Sequence, residues 1–296
     1  MSSMPLVRDA PSAWVRRDDP RPLFTVIVAT LNSAHRFARC LASVADQTYP
    51  HRELIVMDGG STDGTVDIIR AHTPTVTYWE SSPDRGIYHA WNKALVHAHG
   101  EWISFLGADD YFWSPRTIER VAGVLVDRAP DVRILYGRVA VVNSRSEVLE
   151  VVGGPWIRRR AALRALPMPH SAVFHHASVF REHGGFDDSF RIAGDYDLLV
   201  RVLQSANAEF IPETLVGMEV GGISSAVPNE LLLLREQARV WQKNGLTRGL
   251  APSWWRAYVR AGVRRALRRV FGEPTASRLF DLYRRATGRP AIWTRR

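Results

Sequence analysis

The sequence lacks the features that mark secreted and membrane-spanning proteins. Its 296 residues include a single cysteine, Cys40, which excludes an internal disulfide and a cysteine-ligated zinc site and fits a reducing compartment. No apolar run approaches the roughly 18 residues that a membrane-spanning helix needs. Prolines and charges interrupt residues 1–21, so this segment is expected to be a flexible leader without a signal peptide. Together these absences predict a cytoplasmic protein.

Two glycine-rich nucleotide-binding signatures are also missing. No GxGxxG follows the first predicted strand and no GxxxxGK occurs, which disfavours dinucleotide-binding and P-loop proteins. The net charge of +9 belongs to the C-terminal tail, because twelve arginines and only two acids lie after residue 250. A non-enzymatic nucleic-acid binder acting through this tail remains an alternative, although the tail contains no nucleic-acid-binding motif.

Short β-branched runs alternate with helical patterns through the first half of the chain. They predict buried strands, with helices between them, at 23–30, 53–58, 75–80 and 101–106. This alternation favours a parallel sheet covered by helices. After residue 110 the pattern changes to two antiparallel strands at 133–143 and 147–154. Two helices then follow, one at 229–245 and a strongly basic one after Pro252.

Polar and acidic side chains follow each of the first four predicted strands, where open α/β sheets bind their ligands. In chain order they are Thr30, Asn32, Asp58, Asp84, Arg85, Asp109 and Asp110. Carboxylates that meet a phosphorylated ligand need a cation between the two, and Mg²⁺ or Mn²⁺ prefers such oxygen ligands. One aspartate of the adjacent pair is therefore expected to hold a metal while the other points to a sugar hydroxyl. The alternative is a loop in which both acids are solvated.

Six stretches of the chain, in the same order, resemble glycosyltransferase family 2 over about residues 24–225. They are "TVIVATLNS", "ELIVMDGGSTDGT", "SSPDRGIYHAWNKAL", "GEWISFLGADD", "GGFDDSFRIAGDYDLLVR" and "GGIS". The likeness is to small bacterial members that decorate polysaccharides, glycolipids or lipid-linked intermediates. It implies an α/β, Rossmann-like GT-A domain over 22–227, with a mostly parallel sheet flanked by helices. Residues 228–296 would form a basic helical extension.

The resemblance also implies where a nucleotide sugar would bind. The nucleotide pocket would be framed by Thr30, Asn32, Asp58 and Asp84, with Asp58 at the edge of the base. Asp109 would contact the ribose, and Asp110 a divalent cation (Mg²⁺ or Mn²⁺) on the diphosphate. Arg85 is expected to pair with the diphosphate, although an exposed arginine in a turn is the alternative.

The implied reaction is inverting transfer of one sugar from a nucleoside-diphosphate sugar to an acceptor hydroxyl. Asp195 matches the acid taken as general base in the family; alternatively, it caps the helix that follows. His170 matches a family histidine that would touch the metal, the diphosphate or the acceptor, unless it is simply buried and hydrogen-bonded. The loop 221–225 is expected to cover the donor. A nucleotidyltransferase is the enzymatic alternative.

The basic tail combines an apolar stripe with an arginine stripe at helical spacing. The apolar positions are Trp255, Val259, Val263, Leu267 and Val270, and the arginines are Arg256, Arg260, Arg264 and Arg268. Such a helix suits an anionic membrane surface, unless its apolar stripe packs on the catalytic body. The expected partners are a nucleotide-sugar donor, a saccharide or lipid-linked acceptor, and an anionic membrane touching residues 251–285 at the inner face of the plasma membrane. No nucleic-acid partner is expected.

Overall fold

The computed structural model describes residues 21–125, 131–159, 163–220, 229–246 and 252–288. Strands and helices alternate through the first half, as the sequence predicts. These elements are β1 (Phe24–Thr30), α1 (Ala34–Ala45), β2 (Arg52–Asp58), α2 (Thr65–Ala71), β3 (Tyr78–Ser81), α3 (Ile87–Leu95) and β4 (Trp102–Gly107).

The second half mixes strands and helices without a fixed rhythm. Its elements are β5 (Asp110–Phe112), α4 (Thr117–Val124), β6 (Val132–Val142), β7 (Val148–Val152), β8 (Val173–His176), α5 (Ser178–His183), α6 (Gly194–Leu203), β9 (Asn207–Glu219), α7 (Glu230–Lys243) and α8 (Pro252–Ala286). The antiparallel pair predicted at 133–143 and 147–154 is confirmed, because β6 and β7 pair antiparallel.

Within the described segments the strands form one sheet in the order β3-β2-β1-β4-β8-β6-β9-β5, with β7 paired to β6. The first four of these strands are parallel. Beyond β4 the sheet is mixed, since β8 runs antiparallel to both β4 and β6. The predicted α/β architecture is therefore confirmed, with its parallel part in the N-terminal half.

Helices cover both faces of the parallel half. Along β1, Phe24, Val26 and Val28 pack into one core with side chains of α1, whereas Ile27 packs into a second core with side chains of α3 and α6. Successive residues of a strand point to opposite faces. Burial of both faces explains why these strands read as continuous apolar runs in the sequence.

The two C-terminal helices differ in how they join this body. Helix α7 contributes Ala238, Val240 and Trp241 to the second core. Helix α8 packs on α7, where the indole of Trp254 donates a hydrogen bond of 3.0 Å to the Leu234 carbonyl. In the segments that the structure covers, no helix has the length and apolarity needed to cross a bilayer. The division at 227/228 stays a prediction, and the leader lies outside the described residues except for its last position.

Gly100 joins α3 to β4 where β1 leaves no room for a side chain. A Cβ added there would lie 2.5 Å from both the backbone nitrogen and Oγ1 of Thr25. Because that contact includes backbone, we expect Gly100→Ala to lower the free energy of unfolding in urea by about 1–3 kcal/mol. Gly123→Ala is the matched control, since its Cβ meets nothing within 4 Å. Equal stability of the two variants would contradict this packing.

Candidate functional site

The carboxyl ends of the parallel strands bring the predicted nucleotide-pocket residues together. Asp58 is in register with Thr30 on one side and Ser81 on the other. Its Oδ2 accepts hydrogen bonds from the Ser81 hydroxyl at 2.6 Å and from the backbone of Gly60 and Ser61. Its Oδ1 accepts the Ser61 hydroxyl at 2.5 Å. Asp58 therefore shapes the turn after β2, and both of its oxygens accept hydrogen bonds within the protein.

Thr30 and Asn32 frame the same edge. Asn32 adopts a left-handed backbone (φ 48°), and its side-chain oxygen accepts the Thr62 amide at 2.9 Å, so it ties the two loops together. The Thr30 hydroxyl is buried and has no hydrogen-bond partner in the part of the chain that the structure describes. A buried hydroxyl without a partner is costly unless a ligand or water supplies one.

Asp84 and Arg85 follow β3, and their side chains contact different parts of the protein. Asp84 Oδ1 accepts the Gly86 amide at 2.8 Å, and its Oδ2 lies so close to Gly59 that a Cβ there would be 2.9 Å away. Asp84 thus borders the turn after Asp58. The Arg85 side chain is exposed and makes an ion pair of 2.7 Å with Asp188. A diphosphate would have to compete with that carboxylate for Arg85.

Asp109 and Asp110 follow β4, and Asp110 is buried. Its Oδ2 accepts the Gly107 amide at 3.2 Å, whereas its Oδ1 has no partner among the described residues. Burial raises the pKa of Asp110 well above its usual range, and the Asp109 carboxylate raises it further. The solvated-loop alternative is therefore wrong for Asp110, while Asp109 is half-buried. An unpaired, desolvated carboxylate of this kind is suited to a cation.

Asp195 is the second residue of α6. Its Oδ1 accepts the Tyr196 amide at 2.8 Å and lies 3.1 Å from the Tyr88 hydroxyl. Burial raises the pKa of Asp195 to about 6. Asp195 is not the N-cap residue, because Ala193 occupies that position, but its carboxylate does accept one amide of the first turn. Asp195 is thus a rigidly held carboxylate that changes protonation near neutral pH.

The neighbouring acid on the same helix is engaged differently. Asp197 is completely buried, and its Oδ2 makes ion pairs of 3.0 Å with Arg201 and 2.9 Å with Lys243. Asn244 donates to its other oxygen at 3.1 Å. Asp197 therefore joins α6 to the end of α7, and its oxygens are occupied within the protein.

Two residues that hold Asp195 in place were not identified from the sequence. Tyr88 lies on α3 and also reaches the Ile192 carbonyl at 2.5 Å. The Glu236 carboxylate, on α7, accepts the backbone amides of residues 191, 192 and 193 at 2.8, 2.8 and 2.9 Å. The sequence did contain one signal for Glu236: a glutamate at a position of an amphipathic helix that is expected to be buried needs a partner inside the protein.

His170 lies in an aromatic cluster beside this edge. Its ring is within 6 Å of those of Trp91, Phe105, His175 and Phe186. Burial lowers the pKa of His170 to about 3, so its ring is neutral. Its Nε2 is buried and has no hydrogen-bond partner in the described segments, so of the alternative expected from the sequence the structure shows the burial but no hydrogen bond at Nε2. The next residue, Ser171, interacts with the Asp110 carboxylate.

Comparison with known proteins identifies the family. Residues 25–181 match the model of Glycosyl transferase family 2. A PGL/p-HBAD biosynthesis glycosyltransferase of Mycobacterium bovis is 30% identical over 220 residues, which cover 72% of this chain and 84% of the relative. An uncharacterized glycosyltransferase of Mycobacterium tuberculosis is 31% identical over 207 residues, covering 69% and 78%.

The chain belongs to glycosyl transferase family 2. It is a glycosyltransferase, as the sequence motifs predict. Among solved structures, residues 1–349 of Staphylococcus aureus TarS in complex with UDP align with a TM-score of 0.58 at 19% identity, covering 83% of this chain and 72% of that TarS chain. The Pyrobaculum calidifontis mannosyltransferase PcManGT, in complex with GDP-Man and Mn²⁺, aligns at 0.59 and 22% identity, covering 87% and 73%. These neighbours confirm the GT-A fold. The predicted donor-covering loop at 221–225 lies outside the described residues.

Among the residues that the structure describes, the Glu236 carboxylate is the sole hydrogen-bond partner of the amides of residues 191–193, just before α6. We expect Glu236→Ala to lower the free energy of unfolding by about 3 kcal/mol or more, because buried amides left without acceptors each cost about 1–3 kcal/mol. Urea unfolding measures the change. The control is Glu182→Ala on α5, an exposed glutamate whose loss should stay within about 0.5 kcal/mol. A Glu236 variant as stable as this control would contradict the bracing role.

Proposed function

We propose that this glycosyltransferase moves one sugar from a nucleoside-diphosphate sugar to an acceptor hydroxyl with inversion at the anomeric carbon. The observation that carries the proposal is Asp195, a braced carboxylate with a pKa raised to about 6. A general base works best when its pKa lies near the operating pH. Direct inversion needs one such base, opposite the leaving group.

The donor is assigned to the edge formed by the ends of β1 to β4. The residues that would bind it are Thr30, Asn32, Asp58, Asp84, Arg85 and Asp109. The buried, unpartnered hydroxyl of Thr30 supports a ligand at this edge. His170 is neutral, so it is not assigned to charge stabilisation. Because the next residue, Ser171, interacts with the Asp110 carboxylate, His170 is assigned to the wall of the site. The UDP and GDP-Man complexes of the two structural neighbours support a nucleotide sugar as donor.

A divalent cation, Mg²⁺ or Mn²⁺, fits Asp110. The free Oδ1 of Asp110 and the adjacent Asp109 carboxylate offer hard oxygen ligands, which such cations prefer. In the described part of the chain no three metal-ligating side chains converge. This matches Mg²⁺ sites that use one or two carboxylates together with substrate phosphates. When bound, the cation would neutralise charge on the departing diphosphate.

Asp195 would then act as the general base that removes the proton of the acceptor hydroxyl. Its carboxylate accepts the proton of the acceptor hydroxyl as that oxygen bonds to the anomeric carbon. The bond from the anomeric carbon to the diphosphate breaks in the same displacement, and the nucleoside diphosphate leaves with the bonding electrons. Tyr88 and the Tyr196 amide hold Asp195 in one orientation, which lowers the entropic cost of reaching this geometry.

The acceptor is assigned as a saccharide or a lipid-linked intermediate. In the same proposal residues 251–285 touch an anionic membrane, and the enzyme works in the cytoplasm at the inner face of the plasma membrane. The buried free thiol of Cys40 is compatible with that reducing compartment. Release of nucleoside diphosphate, and not pyrophosphate, distinguishes this reaction from nucleotidyl transfer.

Replacing Asp195 tests the base. Asp195→Asn keeps the size of the side chain and loses its proton affinity, so we expect turnover to fall about a hundredfold or more while donor affinity is unchanged. In the parent protein, turnover should rise with pH through about 6 and then level off, because the deprotonated form is the base. Asp67→Asn on α2, an exposed site, is the control. Unchanged turnover in Asp195→Asn, or loss of donor binding, would remove this assignment.

Tyr88→Phe gives a finer readout of the same prediction. The Tyr88 hydroxyl lowers the pKa of Asp195, partly offsetting the effect of burial. Its removal should move the acid limb of the turnover profile to higher pH, leaving the plateau less affected. A profile that does not move would mean that another group titrates.

Replacing Asp110 tests the cation. In the parent protein, nucleoside diphosphate with Mn²⁺ at about a hundredfold excess over its Kd should raise Tm by about 5–10 °C. Asp110→Asn should abolish that Mn²⁺-dependent shift with little change in the Tm of the ligand-free protein. The exposed Asp46→Asn serves as control. An Asp110 variant that keeps the shift, or turns over in EDTA, would contradict the assignment.

A further inference from the structure

Helix α8 presents two opposite faces, and only one of them packs on the protein. The inner face contains Trp254, Tyr258 and Ala261; Trp254 and Ala261 are buried, and Trp254 stacks on Tyr258 with ring centroids 5.0 Å apart. The outer stripe consists of Trp255, Val259, Val263 and Val270, each more than half exposed. At about 100° per residue the centres of the two faces lie about 140° apart. The alternative that this stripe packs on the catalytic body is therefore wrong for these four positions, whereas Leu267, the fifth apolar position expected from the sequence, is half-buried.

Arginines border the outer stripe on both sides. At about 100° per residue, Arg256 and Arg260 lie along one edge and Arg269 along the other, whereas Arg265 lies in the direction of the inner face beyond Ala261. All four are exposed, and none makes an ion pair with an acid in the described residues. This corrects the arginine set expected from the sequence, because Arg264 pairs with Glu230 and Arg268 with Glu273.

The pattern repeats after the helix is interrupted at Gly272, whose φ is 74°. In the segment that follows, Ala276 and Phe280 are buried, whereas Leu279, Leu282 and Tyr283 are exposed. Two consecutive helical segments thus keep large apolar side chains in solvent, although each already buries another face. An apolar surface of this extent on a folded protein indicates a binding site.

We infer that the outer stripe and its bordering arginines dock on an anionic lipid surface. Apolar side chains that enter the interface, with guanidinium groups level with the lipid phosphates, are the arrangement that binds such surfaces. A second copy of the chain fits less well, because two such stripes would bring their arginines face to face. The inference rests on the proposed function in one respect only: a membrane contact would hold the enzyme where a lipid-linked acceptor lies.

Sedimentation with vesicles tests the surface on the full-length protein. The protein should pellet with phosphatidylglycerol–phosphatidylcholine vesicles at low salt, and not with phosphatidylcholine alone. Arg256→Gln/Arg260→Gln should weaken binding about 25-fold, since each arginine near an anionic surface contributes about a factor of five. Val259→Ser/Val263→Ser should weaken it about tenfold or more. Matched controls are Arg145→Gln/Arg159→Gln and Val96→Ser/Ile157→Ser, which alter exposed residues elsewhere and should bind like the parent.

Three outcomes would overturn the inference. They are a full-length protein that ignores anionic vesicles, stripe variants that bind like their controls, and a dimer in light scattering that Val259→Ser/Val263→Ser converts to a monomer. Donor-dependent Tm shifts and nucleoside diphosphate release, measured in the same variants without vesicles, report on the transferase separately. Loss of vesicle binding with both retained would overturn the membrane contact and leave the transfer reaction standing, whereas vesicle binding without transfer would overturn the transfer reaction and leave the membrane contact standing.

Discussion

Parallel pairing of β1 with β2 and β4 determines where the candidate nucleotide-pocket residues lie. Because the pairing sets Thr30 beside Asp58 and Ala29 beside Gly107, loops distant in sequence leave the sheet at one edge. The register is maintained by two buried cores, since a shift of one residue would exchange the side chains of β1 between two cores that are packed for different shapes. Pocket geometry and core packing therefore depend on the same pairing.

The candidate site keeps carboxylates where the fold disfavours their charge. Burial raises the pKa of both Asp110 and Asp195, so ionising either carboxyl costs more free energy in the folded chain than in water. The surrounding structure offsets this locally: Ser171 interacts with Asp110, while Tyr88 and the Tyr196 amide hold Asp195. Glu236 then fixes the backbone that precedes Asp195 from a helix more than forty residues later in the chain. Such strain is common at sites where reactivity, and not stability, is selected.

The sequence predicts the local part of this arrangement well and the distant part poorly. The strands of the parallel half could be located because β-branched runs end at polar turns, although β3 begins at Tyr78, three residues later than expected. The pairing of β5 and β6 with β9 could not be predicted, since no local pattern encodes contacts across so many residues. For the same reason Tyr88 and Glu236 were missed, while the acids at strand ends were found. The division of α8 into a packed and an exposed face likewise requires knowing where α7 lies.

The single thiol gives this fold an internal probe of its own motion. Cys40 is buried on α1 with its sulfur 3.6 Å from the Gly107 carbonyl, and burial raises its pKa well above the usual value, with both neighbouring aspartates contributing. An alkylating reagent reacts with thiolate and needs access, so it reaches Cys40 only when α1 separates from the end of β4. The rate of labelling therefore reports how often the sheet edge that carries Asp109 and Asp110 opens enough to expose Cys40. A bound nucleotide that bridges this edge would therefore lower the rate at which Cys40 is alkylated, and no engineered cysteine is needed for the measurement.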